Sequence, residues 1–96
     1  MVYVRISSEA AKQALDIITR EFGDDVSVWL FGSRADDQKR GGDVDIYVES
    51  DSADLMRKLT CQAELVELFD LNVDLVVGNG SQPIHRIAKR TGARLK

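Results

Sequence analysis

Two aspartates separated by a single residue, Asp43 and Asp45, lie in the segment DVDIYVE. Side chains at positions i and i+2 of a β-strand project from the same face, with their Cα atoms roughly 6.5 to 7 Å apart. Carboxylates at this spacing suit hard divalent cations, and many phosphoryl and nucleotidyl transferases hold two magnesium ions between such groups. Alternatively, Asp43 ends the preceding turn and Asp45 is a solvated strand residue.

A third carboxylate, Asp74, lies in the middle of the apolar segment NVDLVV. Burying an unpaired carboxylate costs on the order of several kcal/mol, so such a residue is usually hydrogen-bonded, paired or bound to a metal. If the Asp74 strand is next to the Asp43 strand, three carboxylates converge on one place. A structural aspartate satisfied by hydrogen bonds is the alternative interpretation.

A Gly-Ser pair, Gly32 and Ser33, directly follows the apolar segment VSVWLF. Where a chain leaves a sheet at such a pair, exposed backbone N–H groups and a hydroxyl can hold a phosphate. The following loop carries Arg34, Lys39 and Arg40. These cations are either phosphate contacts or ordinary loop charges.

The hydrophobic pattern predicts six elements to position these residues. The expected order is a helix over 9–22, strands over 26–31 and 43–49, a helix over 55–69 capped by Ser52, a strand over 72–77 and a helix over 83–91. In the second strand, the alternation predicts a buried face and a solvated face that carries Asp45 and Tyr47. This order predicts an α+β fold, with a small mixed sheet and flanking helices arranged α-β-β-α-β-α.

Each predicted helix has an apolar stripe and end signals. Gly23 and Gly92 are expected to end the first and third helices, and Pro83 to begin the third. The stripes are formed by Ala11, Leu15, Ile18 and Phe22 in the first helix, Leu55, Leu59, Ala63, Val66 and Phe69 in the second, and Ile84, Ile87 and Ala88 in the third. Trp29 is expected in the core, with stacking on a base as an alternative, and His85 on a helix surface.

Length and composition are those of one soluble domain spanning residues 1–96. No apolar run is long enough to cross a membrane, and no apolar leader follows Met1, so a cytoplasmic location is expected.

The net charge of −3 argues against nucleic acid as the main partner. No acidic residue follows Asp74, whereas five basic residues do: Arg86, Lys89, Arg90, Arg94 and Lys96. They form either a solvated helix face or a surface for phosphate or a partner.

The combination LFGSRA, GGDVDIYVE and NVDLVV resembles the nucleotidyltransferase superfamily that contains DNA polymerase beta. Its signature is a Gly-Ser pair, a loop, an Asp-x-Asp and a third acidic residue on a later strand. Within it, the chain is most similar to the minimal nucleotidyltransferases, which are often paired as antitoxins with a HEPN-domain toxin.

This resemblance implies roles for the matching residues. Asp43, Asp45 and Asp74 would be catalytic and bind two Mg²⁺ ions, and Asp74 would also help to deprotonate the acceptor hydroxyl. The nucleotide-binding residues would be Gly32, Ser33 and Arg34. The implied reaction is the transfer of AMP from ATP to a hydroxyl, with pyrophosphate leaving.

The implied acceptor is a partner protein, which the antitoxin-like resemblance makes a HEPN toxin; a homo-oligomer is also compatible with the sequence. The apolar side chains Ile84, Ile87 and Leu95, together with the basic residues around them, are the candidate contact surface. The alternative function is a non-catalytic protein-binding antitoxin whose nucleotide site is vestigial or regulatory.

Overall fold

A mixed β-sheet with helices on both faces accounts for the described part of the chain. The structure is a computed structural model, and it describes residues 8–31, 44–51, 54–70 and 72–96. In these ranges the helices are α1 (Ser8–Phe22), α2 (Leu55–Phe69) and α3 (Pro83–Thr91), and the strands are β1 (Ser27–Phe31), β2 (Val44–Glu49), β3 (Val73–Gly78) and β4 (Ala93–Arg94). The predicted α+β class and element order are confirmed, and β4 is an addition that the sequence pattern did not reveal.

The strand order in the sheet is β3-β2-β1-β4. β2 runs antiparallel to β1 and parallel to β3, and β4 runs antiparallel to β1. Parallel neighbours need a crossover connection, and α2 provides it between β2 and β3. As a result, β2 and β3 begin at the same end of the sheet, and β1 finishes there.

The first face of the sheet is covered by α1 and α2. From α1, the side chains of Ala14, Ile18 and Phe22 are buried in the core. Gly23 ends this helix as predicted, because it has a φ of +100° and its N–H donates to the carbonyl of Thr19.

The predicted cap of α2 is wrong, and its predicted apolar stripe is only partly buried, because Val66 and Phe69 pack against the core but the stripe residues before them do not. Cys61 and Leu65 are its buried side chains, whereas Leu55 and Leu59 are 64% and 50% exposed. The cap is Asp54, whose carboxylate accepts from the N–H groups of two residues in the first turn. Ser52, the predicted cap, lies outside the described residues.

The second face of the sheet, predicted to be solvated along β2, is covered by α3. Tyr47 is completely buried there, with Trp29 and Phe31 of β1 and Ala88 of α3. The alternation along β2 correctly separates two faces, but both are covered at Tyr47. A strand face that carries polar residues is therefore not necessarily exposed to solvent, because a later helix can pack on it.

The chain after α3 pairs with the free edge of β1. Ala93 and Arg94 lie opposite Leu30 and Trp29, and the N–H of Leu95 donates to the carbonyl of Val28. Leu95 is half-buried against the α1–α2 side of the core, so it is not part of an exposed surface with Ile84 and Ile87. No helix in the described ranges is long and apolar enough to cross a membrane.

Candidate active site

Two of the three predicted catalytic carboxylates are aligned on neighbouring strands. Asp45 of β2 and Asp74 of β3 are partners in the parallel register, where strands lie about 4.8 Å apart. Their neighbours in sequence, Val44, Ile46, Val73 and Leu75, are all buried in the core on the α1–α2 side. Asp45 and Asp74 therefore share the opposite face, at the end of the sheet where β2 and β3 begin.

The two carboxylates differ in their exposure. Asp45 is 8% exposed, whereas Asp74, on the edge strand, is exposed. Asp45 lies between β1 and β3, so a neighbouring strand restricts it on each side. The described part of the site is therefore more open to solvent at Asp74 than at Asp45.

The end of β1 meets the same place. Its last residue, Phe31, is the register partner of Asp45, and Gly32 and Ser33 follow Phe31 in the sequence. Gly32, Ser33, Arg34 and Asp43 lie outside the described residues, so their predicted roles stay predictions.

The donor set fits a hard cation. Asp45 and Asp74 are oxygen donors on adjacent strands, which is the kind of ligand that Mg²⁺ prefers. In the residues that the structure describes, no group of three or more histidine, cysteine, aspartate or glutamate side chains could hold a metal ion. A third protein ligand would have to come from outside the described ranges, and Asp43 is one residue before β2.

A column of three stacked rings supports β2 next to this site. The ring of Tyr47 lies 4.8 Å from that of His85 and 5.6 Å from that of Trp29, with interplanar angles of 14° and 24°. His85 is only 4% exposed, so the interpretation of this residue as a helix-surface histidine is wrong. Offset-stacked rings pack at such distances, so the column fixes α3 against β2.

The His85 ring also organises the turn between β3 and α3. Its Nδ1 accepts hydrogen bonds from the N–H groups of Gly80 and Gln82, each at 3.2 Å. A Cβ at Gly78 would collide with the imidazole. Gly78 was the sequence signal for this contact. It can be interpreted only once β3 and α3 are known to pack against each other.

At the far end of β2, Glu49 joins Tyr47 to α3. The Tyr47 hydroxyl donates to Glu49 Oε2 at 3.1 Å, and Lys89 Nζ lies 3.2 Å from the same oxygen. Burial, and then the hydrogen bond to Glu49, raise the pKa of the Tyr47 phenol well above its usual value. Tyr47 is therefore a neutral structural donor, buried between β2 and α3.

Trp29 is not free to stack on a nucleotide base. One side of its ring faces Tyr47, and the cations of Lys89 and Arg94 lie 5.4 and 5.3 Å from the ring centroid. Its side chain is 7% exposed. These contacts support the predicted position of Trp29 in the core.

The family of this chain follows from a match to a family model over residues 13–93. That model describes the polymerase beta nucleotidyltransferase domain. The chain belongs to this family. A comparison with curated proteins found no match.

Solved structures of toxin–antitoxin complexes share the fold. A crystal structure of the toxin–antitoxin MntA-HepT has a TM-score of 0.70 at 19% identity, over 94% of this chain and 72% of the other. A tri-AMPylated Shewanella oneidensis HEPN toxin in complex with its MNT antitoxin gives 0.72 at 19%, over 95% and 72%. A toxin–antitoxin with AMP-PNP gives 0.68 at 22%, over 88% and 72%.

Proposed function

We propose that this chain is a magnesium-dependent nucleotidyltransferase that transfers AMP from ATP to a hydroxyl of a partner HEPN protein, and so acts as the antitoxin of that protein. The observation that carries the proposal is the register of Asp45 with Asp74 beside the end of β1. Family membership supports the reaction class. The AMPylated HEPN toxin in one similar complex supports the acceptor.

In the proposed reaction, the oxygen of the acceptor hydroxyl attacks the α-phosphorus of ATP. The bond from that phosphorus to the oxygen bridging to the β-phosphate breaks, and pyrophosphate leaves. Bound Mg²⁺ would supply charge neutralisation for the phosphates. Asp43, Asp45 and Asp74 would hold it, and the exposed Asp74 would also accept the hydroxyl proton, directly or through water.

The remaining roles rest on the family resemblance. Gly32 and Ser33 would donate to the terminal phosphates, and Arg34 would pair with them. Residues 1–96 would form one minimal nucleotidyltransferase domain, because the family model spans 13–93 and the described elements build one sheet.

The test is label transfer from ATP carrying ³²P at either the α- or the γ-phosphate. The purified chain is incubated with Mg²⁺ and the HEPN protein encoded in the same genome. We expect the HEPN protein to acquire label from the α-position only. Asp45→Asn should abolish transfer while circular dichroism shows a folded protein, and Asp51→Asn, an exposed aspartate outside the site, should behave as wild type.

Two results would contradict the proposal. Label from the γ-position would mean a kinase-like reaction. Full transfer by a folded Asp45→Asn variant would show that this carboxylate has no catalytic role.

A protein-binding antitoxin without catalysis is the second candidate. The observation in its favour is that α3 has an exposed outer face with Ile84 and Ile87, which needs no carboxylate to bind a partner. It predicts that the double variant Asp43→Asn with Asp45→Asn still protects cells from the toxin. Loss of protection in a folded, expressed double variant would leave the enzyme as the better explanation.

A further inference from the structure

The outer face of α3 is a continuous surface of apolar and basic side chains. Ile84 and Ile87 are 39% and 44% exposed, while His85 and Ala88 turn inward. An open groove of about 490 Å³ is lined by Pro83, Arg86, Ile87 and Arg90. We call the face formed by Pro83, Ile84, Arg86, Ile87 and Arg90 the α3 strip.

The charge of the α3 strip is not compensated nearby in sequence. No acidic residue follows Asp74. In the described ranges, the two ion pairs involve Arg20 and Lys89, and neither Arg86 nor Arg90 is part of them. A surface with exposed isoleucines and with cations that form no ion pair in the described ranges is complementary to a segment with apolar side chains and carboxylates.

The α3 strip leads to the candidate active site. Gly92, directly after α3, lies so close to the end of β1 that an added Cβ would be 2.7 Å from the carbonyl oxygen of Leu30 and 2.9 Å from Phe31 Cβ. Phe31 is the register partner of Asp45. The Arg90 end of the strip is therefore the end beside the carboxylates.

We propose that the α3 strip is the docking surface for the acceptor protein, occupied by a segment of the HEPN partner that carries Asp or Glu residues around an apolar centre. This inference rests on the proposed function and names the surface on which its partner binds. A segment that runs along the strip passes from Pro83 towards Arg90 and brings the following part of the partner to Asp45 and Asp74.

Other occupants fit the observations less well. The second exposed apolar cluster in the described ranges, Leu55, Met56 and Leu59, has Arg57 and Lys58 within it. Its cations would repel those of the α3 strip, so this cluster on a second copy is a poor match. Nucleic acid would use the arginines but would leave the isoleucines without an apolar partner, and the chain has a net charge of −3.

The test compares matched substitutions on opposite faces of the sheet. Ile87→Glu and Arg90→Glu change the α3 strip, and Leu59→Glu is the control, since Leu59 is a helical residue of similar exposure on the other face. Binding of the purified HEPN protein is measured by calorimetry. We expect Ile87→Glu and Arg90→Glu each to weaken binding by about 10-fold or more, and Leu59→Glu to leave it unchanged.

Steady-state label transfer separates docking from chemistry. The Ile87→Glu variant should show a raised KM for the HEPN protein with kcat close to wild type, because docking is weakened while the carboxylates are intact. Asp45→Asn should bind normally and lose transfer. If Asp45→Asn keeps transfer, the proposed function fails while the binding data still decide the surface. Wild-type binding by both Ile87→Glu and Arg90→Glu would overturn the docking surface and leave the reaction untouched.

A photo-crosslinker identifies the occupant directly. With p-benzoylphenylalanine in place of Ile87, we expect a crosslink to a HEPN peptide that contains both acidic and apolar residues, and none with the crosslinker in place of Leu59. A crosslink from position 87 to a second copy of this chain, or to RNA, would overturn the assignment of the occupant.

Discussion

Asp45 and Asp74, the two described carboxylates of the site, are partners in the strand register, but their substitution should affect the stability of the fold differently. Asp45 is buried on the strand between β1 and β3, so its substitution would disturb packing as well as the proposed metal binding. Asp74 is exposed on the edge strand. Asp74 is therefore the position where loss of chemistry can be measured without loss of stability.

Asp74→Asn should lower AMP transfer to the HEPN protein by about 100-fold or more, because it removes a charge at the place where charge develops in the reaction. The free energy of unfolding should change by less than about 0.5 kcal/mol, as for other exposed substitutions. Single-turnover label transfer and urea denaturation measure the two quantities. An active Asp74→Asn enzyme would assign Asp74 a structural role only.

Two buried acids make the fold sensitive to high pH. Burial, and then the nearby Glu21 and Glu64, raise the pKa of the Cys61 thiol to about 12 from an ordinary value of 9.0. Burial also raises the pKa of Tyr47 above its ordinary 10.0. The folded protein thus holds both protons more tightly than the unfolded chain, so this stabilisation is complete below pH 9.0 and is lost as the pH rises from there.

The urea midpoint should therefore fall as the pH rises from 9.0 towards about 12. In Cys61→Ala the decline should begin later, near the ordinary pKa of tyrosine at 10.0. In Tyr47→Phe the decline above that pH should be shallower. An identical pH profile in wild type and both variants would show that neither group is responsible.

At the scale of the elements, one close contact between strand and helix helps to position α3 on the sheet. His85 packs directly against Gly78 of β3, where no side chain other than hydrogen fits. Gly78→Ala should destabilise the protein by about 1–3 kcal/mol, because the imidazole must move and the stack with Tyr47 is disturbed. Chemical denaturation measures the loss.

A double-mutant cycle isolates the cause. In the His85→Ala background the collision is absent, so Gly78→Ala should then cost clearly less than in wild type. Equal costs in both backgrounds would mean that β3 itself, and not its contact with α3, resists the extra methyl group.

Local sequence patterns predicted the helices and strands well, but they did not predict which elements pack against each face of a helix or strand. The alternation along β2 correctly put Val44, Ile46 and Val48 on one face, since a strand allows only two. The face of α2 was predicted only in part, because Val66 and Phe69 pack against the core while Leu55 and Leu59 of the same stripe are exposed. A helix with several apolar faces can bury any of them, and the sheet selects the one with Cys61 and Leu65.

For the candidate site, the sequence suggests carboxylates by their residue type and spacing, and the fold determines which of the described ones lie together. Asp45 and Asp74 could be named from their residue types, but their pairing depends on β2 and β3 being parallel neighbours. The alternation of apolar and polar residues indicates which face of the sheet each side chain lies on, but it does not indicate which strands are neighbours. His85 and β4 were missed for a related reason: each depends on a contact between distant parts of the chain.

At the scale of the whole molecule, charge is divided along the chain. Every acidic residue lies at or before Asp74, and the segment after it carries cations without carboxylates. Two of these cations are used within the molecule, because Lys89 pairs with Glu49 and Arg94 lies over Trp29. Arg86 and Arg90 remain available on the α3 strip for long-range attraction of an acidic partner.

This division predicts that association with the HEPN protein is fast and depends on salt. Because exposed charges are screened over about 10 Å at 0.1 M ionic strength and about 3 Å at 1 M, the association rate constant should fall steeply over that range, while dissociation changes little. The double variant Arg86→Glu with Arg90→Glu should associate slowly and lose most of this salt dependence. Lys12→Glu, a single exposed charge reversal on α1, is the control for charge reversal away from the α3 strip and should keep the wild-type slope. Stopped-flow association measures both rates. A salt slope that is the same in the wild type and the double arginine variant would show that attraction of the partner does not depend on the α3 strip.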